Sequence, residues 1–287
     1  MRLGGPAGGA CQDPAEWAAA HRRAGYSAAF WPLGPGRAAD EVDACVKAAR
    51  QDDLLIAEVG AWSNPISPSD EVRRMALEHC QERLAAADRV GAACCVNIAG
   101  SRCHQDPGRL TAPGWDAPDP ENLTDETFDL IVETVRAIID AVKPTRSYYT
   151  LETMPWVYPD SPDSYLRLIR AIDRRQFAVH LDPVNLVQSP QRYFQTGALI
   201  RECCEKLGPY IRSCHAKDIL LERRLTVHLS EVRPGTGGLD YRAFLREVGK
   251  MDPDLPVMLE HLKGEEDYRL AAEYVRSVAE EVGVQIR

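Results

Sequence analysis

Four acidic or imidazole side chains stand at the ends of four apolar segments in the second half of this 287-residue chain. Glu152 follows Tyr149-Thr150-Leu151, and Asp182 follows Val179-His180-Leu181. His215 follows Ile211 to Cys214, and Glu260 follows Val257-Met258-Leu259. The intervals are 30, 33 and 45 residues, each close to one strand-plus-helix unit, with the last lengthened by a loop. If the segments are parallel strands, the four groups converge. Three carboxylates drawn to one point repel and raise each other's pKa values. A divalent cation removes that conflict. Three oxygens and one imidazole, with room for water, suit Mn²⁺ first, then Mg²⁺ or Co²⁺, better than a closed structural zinc site.

The elements that must position them are legible in the hydrophobic pattern. Short apolar runs are expected as strands at Arg2–Gly4, Tyr26–Trp31, Leu54–Gly60, Ala92–Ala99, Ser147–Thr153, Phe177–Leu181, Ile211–Ala216 and Pro256–Leu259. Between and after them, helical patterns cover Pro14–Ala24, Ala39–Gln51, Ser69–Val90, Thr124–Val142, Pro162–Ile172, Pro190–Leu207, Tyr241–Lys250 and Glu265–Val282. Asp13, and Ser161 or Asp160, precede helices as N-caps, and Gly25 and Gly91 follow helices as stops. Leu54-Leu55-Ile56-Ala57 and Pro256-Val257-Met258-Leu259 are continuous apolar runs, as strands buried on both faces are. Eight such units in strict alternation predict an α/β fold, a (β/α)8 TIM barrel, as one domain over residues 1–287. The early glycines, Gly4-Gly5 and Gly8-Gly9, lack the G-x-G-x-x-G spacing of a dinucleotide-binding sheet. Two long connections, 100–122 and 217–238, are read as loops.

Composition excludes several classes. Lys and Arg number 34 against 43 Asp and Glu, a net charge of −9 that disfavours a nucleic-acid partner. Hydrophobic residues make up 45%, enough for a full core. No apolar run approaches the roughly 18 residues of a membrane span. The stretch from Met1 to Pro6 does not read as a secretory signal. The nine cysteines form no C-x-x-C pair and are expected as reduced, mostly buried thiols. A cytoplasmic protein without a membrane partner is the expectation.

The second half also resembles the xylose isomerase-like TIM barrel superfamily of sugar and sugar-phosphate isomerases and epimerases. Leu151-Glu152, Leu181-Asp182, Cys214-His215-Ala216-Lys217-Asp218 and Leu259-Glu260-His261 carry the resemblance. So does Arg233-Pro234-Gly235-Thr236-Gly237-Gly238-Leu239-Asp240-Tyr241, similar to the family's P-G-x-G-x-x-D-[YWF] turn. The resemblance implies that Glu152, Asp182, His215 and Glu260 hold one metal ion. It implies that Glu152 and Glu260 double as acid and base on opposite faces of a sugar or keto-sugar. Proton transfer through an enediolate then gives isomerisation or epimerisation. Loss of a leaving group from the same enediolate gives a lyase, such as an inosose or keto-sugar dehydratase or a subunit cleaving 3-keto or C-glycosides with a small partner subunit. A homo-oligomer is also implied.

Departures from the family pattern bear on the substrate. Trp156 and Tyr158 stand where ketose 3-epimerases carry Arg and Glu, and offer rings that stack on a sugar or an aglycone. Asn185 replaces a histidine, and Lys217 stands where a substrate-binding arginine is usual. His180, two residues before Asp182, points the same way in a strand, and Glu58 ends the third strand. Both are read with Trp156, Tyr158, Asn185 and Lys217 as candidate substrate-pocket residues. His104 and His228 lie in the long connections, and His21 and His79 inside helices. Strands two to four end without the extra histidines that the family's endonuclease IV members need. A nuclease and a non-catalytic sugar-binding barrel are therefore the weaker alternatives.

Overall fold

The computed structural model describes residues 1–7, 11–103 and 115–287. His104 and the second early glycine pair, Gly8-Gly9, lie outside the described residues. Ten strands are described: β1 (Arg2–Gly4), β2 (Ala28–Phe30), β3 (Leu55–Gly60), β4 (Cys94–Asn97), β5 (Tyr149–Glu152), β6 (Phe177–Leu181), β7 (Ile211–Ala216), β8 (Asp218–Leu221), β9 (Leu229–Val232) and β10 (Pro256–Leu259). Eight form a closed barrel in the order β1-β10-β7-β6-β5-β4-β3-β2, and β8 and β9 form a separate two-stranded sheet. The expected α/β barrel is the observed fold.

The chain divides into two compact units, Met1–Ala57 with Leu181–Arg287, and Glu58–His180. In the first, β10 runs parallel to β1 and β7, with Leu3 opposite Val257 and His215 opposite Met258. Ala28, Ala57 and Met258 pack together at its centre, with Phe30 and Leu55 against them. Gly4 is required there, because a Cβ would lie 2.5 Å from both the Ala28 carbonyl and the Met258 sulfur. In the second unit, β3, β4, β5 and β6 pair in parallel, with Glu152 opposite His180. Every residue of β4, β5, β6 and β10 is buried, which explains their mostly apolar character.

The helices follow their sequence signals. Asp13 caps α1 (Pro14–Arg23), accepting from the Ala15 and Glu16 amides. The next helix, α2 (Ala39–Gln51), buries Cys45, Ala48 and Ala49. Ser69 caps α3 (Asp70–Val90), and Gly91 ends it in the left-handed conformation. Helix α4 (Asp125–Val142) buries Phe128, Ile131, Val132, Val135, Ile138 and Ile139, one face at helical spacing. Ser161 caps α5 (Pro162–Ile172). No helix among the described residues is long and apolar enough to cross a membrane.

Two expectations are corrected. The helix expected over Pro190–Leu207 is two, α6 (Pro190–Tyr193) and α7 (Thr196–Leu207), broken where Gln195 leaves helical geometry. The connection 217–238 is not a plain loop. It contains β8 and β9, paired antiparallel with Asp218 opposite Val232 and Leu221 opposite Leu229. Smaller differences lie at the ends: α8 is Tyr241–Val248 and α9 is Glu265–Glu281.

Asp218 explains why the glycine-rich turn after β9 takes the form it does. One of its carboxylate oxygens accepts from the Ile219 and Leu239 amides, the other from those of Gly235 and Gly237, all at 2.8–3.0 Å. A Cβ on Gly237 would lie 2.3 Å from the Ile219 carbonyl and 2.5 Å from Asp218, so the turn closes only with glycine. Tyr241, at the end of the motif, donates its hydroxyl to the Lys217 carbonyl at 2.8 Å. Replacing Asp218 with Ala leaves four amides without their acceptor and is expected to cost roughly 3 kcal/mol. Urea unfolding of the variant against the parent measures this; an unchanged midpoint would show that the turn holds without the carboxylate.

Candidate metal centre

Strand β7 sets up the site by alternation. His215 and Lys217 are two residues apart and face the same way, while Asp218 faces the turn just described. His215 is fully buried, and its Nδ1 lies 2.8 Å from Glu260 Oε1 and 3.8 Å from Asp182 Oδ2. Lys217 is 2% exposed, and its Nζ lies 2.8 Å from Asp182 Oδ2 and 2.5 Å from Glu260 Oε1. Asp182 follows β6, and its other oxygen accepts from the Val184 and Asn185 amides, which fixes the carboxylate plane. Glu260 follows β10. Asp182, His215 and Glu260 thus form a buried group of two carboxylates and an imidazole able to hold an ion.

An outer layer comes from elements that sequence reasoning missed. Glu231 on β9 lies 3.5 Å from Lys217 Nζ and 3.1 Å from His261 Nδ1. His261 has a positive φ of 58° and lies 3.4 Å from Lys217 Nζ through the same Nδ1. Glu231 fell in the connection read as a loop. The alternating Leu225-Thr226-Val227-His228-Leu229-Ser230-Glu231-Val232 was the available strand signal.

The electrostatics are those of carboxylates buried beside cations. Burial pushes the Asp182 carboxyl up, but Lys217 and His215 outweigh it and hold it well below the usual carboxylate range. Burial acts likewise on Glu260, and His215 and then Lys217 bring it down to about 2. The Glu231 carboxylate raises His261 above its ordinary value.

The second unit carries the other sequence-predicted residues. Glu152 ends β5, is buried, and is in register with His180 on β6. His180 and Glu58 are both buried, with Nδ1 and Oε1 3.6 Å apart. Trp156 is 37% exposed and donates its indole N–H to the Asp116 carbonyl at 2.7 Å. Tyr158 donates to the Leu123 carbonyl at 3.0 Å and packs edge-on against Phe128. Both aromatics are thus anchored to the segment before α4. Asn185, in the first unit, is half-buried beside Asp182. Lys217, expected as a substrate contact, is committed to Asp182 and Glu260.

Asp182 and Glu260 titrate lower folded than unfolded. The stability they contribute is complete above the unfolded carboxylate values and is lost as pH falls through the folded ones. For Glu260 that window runs from 4.5 to about 2. Lys217→Met removes the cation and leaves two buried carboxylates facing each other. In chelator-treated protein it is expected to cost roughly 3–5 kcal/mol at neutral pH. The acid loss of stability should also shrink, because without Lys217 the folded-state carboxyls titrate closer to, or above, their unfolded values. Urea midpoints from pH 7 to 3 measure both effects, and overlaying profiles would show that the ion pairs contribute nothing.

Many solved structures share the fold. The apo 3-keto-D-glucoside 4-epimerase YcjR of E. coli aligns with a TM-score of 0.69 at 14% identity, over 96% of this chain and 99% of its own. A xylose isomerase-like TIM barrel protein of Mycobacterium smegmatis, in complex with magnesium, aligns with a TM-score of 0.66 at 17% identity, over 94% and 89%. Endonuclease IV of Thermus thermophilus aligns with a TM-score of 0.71 at 15% identity, over 98% and 100%. No curated protein sequence matches the chain. A family model does, over residues 18–278, and with the barrel already described it places the chain in the xylose isomerase-like TIM barrel family.

Proposed function

We propose that this chain is a divalent-metal-dependent isomerase or epimerase acting on a sugar or sugar derivative. The observation that carries the reading is the grouping of Asp182, His215 and Glu260, the first two buried and the third nearly so; the resemblance to the family adds Glu152 as a third carboxylate. The donor set fits a hard divalent ion: three carboxylates and an imidazole, with Lys217 as the ammonium beside them. Mn²⁺ is the proposed ion, with Mg²⁺ or Co²⁺ as substitutes. The M. smegmatis relative was crystallised with magnesium.

A cation held there supplies Lewis-acid stabilisation of the negative charge that develops beside a carbonyl. Glu152 and Glu260 are the proposed acid–base pair. One removes the proton next to the carbonyl, and the other returns it from the opposite face or to the neighbouring carbon. Asp182 is held by its two amide bonds and acts as ligand only. His215 and Lys217 hold the Glu260 carboxyl low. Trp156, Tyr158, Asn185, His180 and Glu58 make up the proposed substrate surroundings. A lyase is the second reading, favoured by the partly exposed Trp156 ring, which offers stacking area to a larger glycoside.

Metal analysis and deuterium uptake from D₂O into a panel of keto-sugars, with and without chelator, test the reading. About one ion per chain and chelator-sensitive exchange next to the carbonyl are expected. Glu260→Gln should lower turnover by about 10²–10⁴-fold while retaining substrate. Asp182→Asn should weaken metal binding by at least about tenfold. A parent protein that takes up no metal on titration would sink the proposal. Product mass and configuration separate isomerase, epimerase and lyase.

A further inference from the structure

Two thiols lie against each other away from the metal centre. Cys11 Sγ and Cys45 Sγ are 3.2 Å apart, and both residues are buried. Cys11 sits two residues before Asp13, the cap of α1, and Cys45 lies midway along α2. Both line a cavity of about 330 Å³ whose other walls include Gln12, Arg37, Asp40 and Glu41. A small polar reagent can therefore meet two sulfurs at once. A disulfide needs an S–S distance near 2.05 Å, so the sulfurs have only about 1 Å to close.

We propose that Cys11 and Cys45 form an intramolecular disulfide when the protein meets a small hydroperoxide. The Cys11 thiolate attacks the distal peroxide oxygen. The O–O bond breaks, an alcohol (water, from hydrogen peroxide) leaves, and Cys11 becomes a sulfenic acid. The Cys45 sulfur then attacks the Cys11 sulfur, the S–S bond forms, and water leaves. Two thiols give up two electrons and two protons in all, and one peroxide is reduced. Cys11 is the first to react because it is the more exposed of the two, at 9% against 1%. Burial also pushes the Cys45 thiol up to about 12, with Cys11 adding to the shift, which suits a resolving thiol rather than an attacking one. The bond would tie the segment entering α1 to α2 across 34 residues of sequence.

The test treats the folded, reduced full-length protein with one equivalent of hydrogen peroxide, blocks remaining thiols with iodoacetamide under denaturing conditions, and maps peptides without reductant. The expected result is a peptide joining Cys11 to Cys45, a loss of two titratable thiols, and full recovery with dithiothreitol. In Cys45→Ser the sulfenic acid has no resolving partner, so dimedone labelling at Cys11 should rise at least tenfold over the parent. Cys45→Ala repeats the measurement should the serine variant fold poorly. Cys11 and Cys45 recovered separately alkylated, or joined to other cysteines, would overturn the proposal. So would dimedone labelling that Cys45→Ser leaves unchanged. None of these readouts depends on metal or on a substrate.

Discussion

Two carboxylates cannot both stay ionised in a desolvated site without a positive charge beside them, and this constraint shapes the first unit. Lys217 Nζ meets Asp182 Oδ2 and Glu260 Oε1 from a position that is 2% exposed. Desolvation opposes ionisation of both acids, and the ammonium and His215 reverse it. Such a cluster has little value as a stability device, because buried ion pairs rarely outweigh their desolvation. It is better understood as a means of keeping acids charged where a cation and a carbonyl substrate would need them.

Holding that lysine in place occupies much of the surrounding structure. Its carbonyl accepts from Tyr241, and the next residue, Asp218, gathers four amides of the glycine-rich turn. The β8–β9 hairpin then returns Glu231 toward the ammonium and His261. Residues that look in sequence like two separate motifs are therefore one mechanical unit. His215 and Lys217 serve the site, Asp218 serves the turn, and strand alternation separates the two tasks.

The fold was legible because burial on both faces of a parallel sheet leaves a strong trace. The runs at β6, β7 and β10 match their expected bounds, and the cap residues Asp13 and Ser161 hold their helices as their side chains predict. Asp182, His215 and Glu260 were legible for the same reason, as polar groups ending apolar strands. The hairpin was not. Its strands are short, half-exposed and follow β7 without a turn signal, so neither burial nor punctuation marked them. The break between α6 and α7 was equally silent, since no proline or glycine stands at Phe194 or Gln195.

The sequence by itself determined the barrel, the order of its strands and which strand ends carry acids or imidazoles, because periodicity and spacing are local properties. Tertiary structure decided what those groups do to one another. Lys217 read as a substrate contact, and packing makes it the counter-charge of Asp182 and Glu260. Tyr158 read as a ring offered for stacking, and its hydroxyl is taken by the Leu123 carbonyl. Glu231 and His261 acquired a role only when the hairpin folded back over β7. Distances between residues far apart in the chain set these electrostatic roles, and no local pattern encodes such distances.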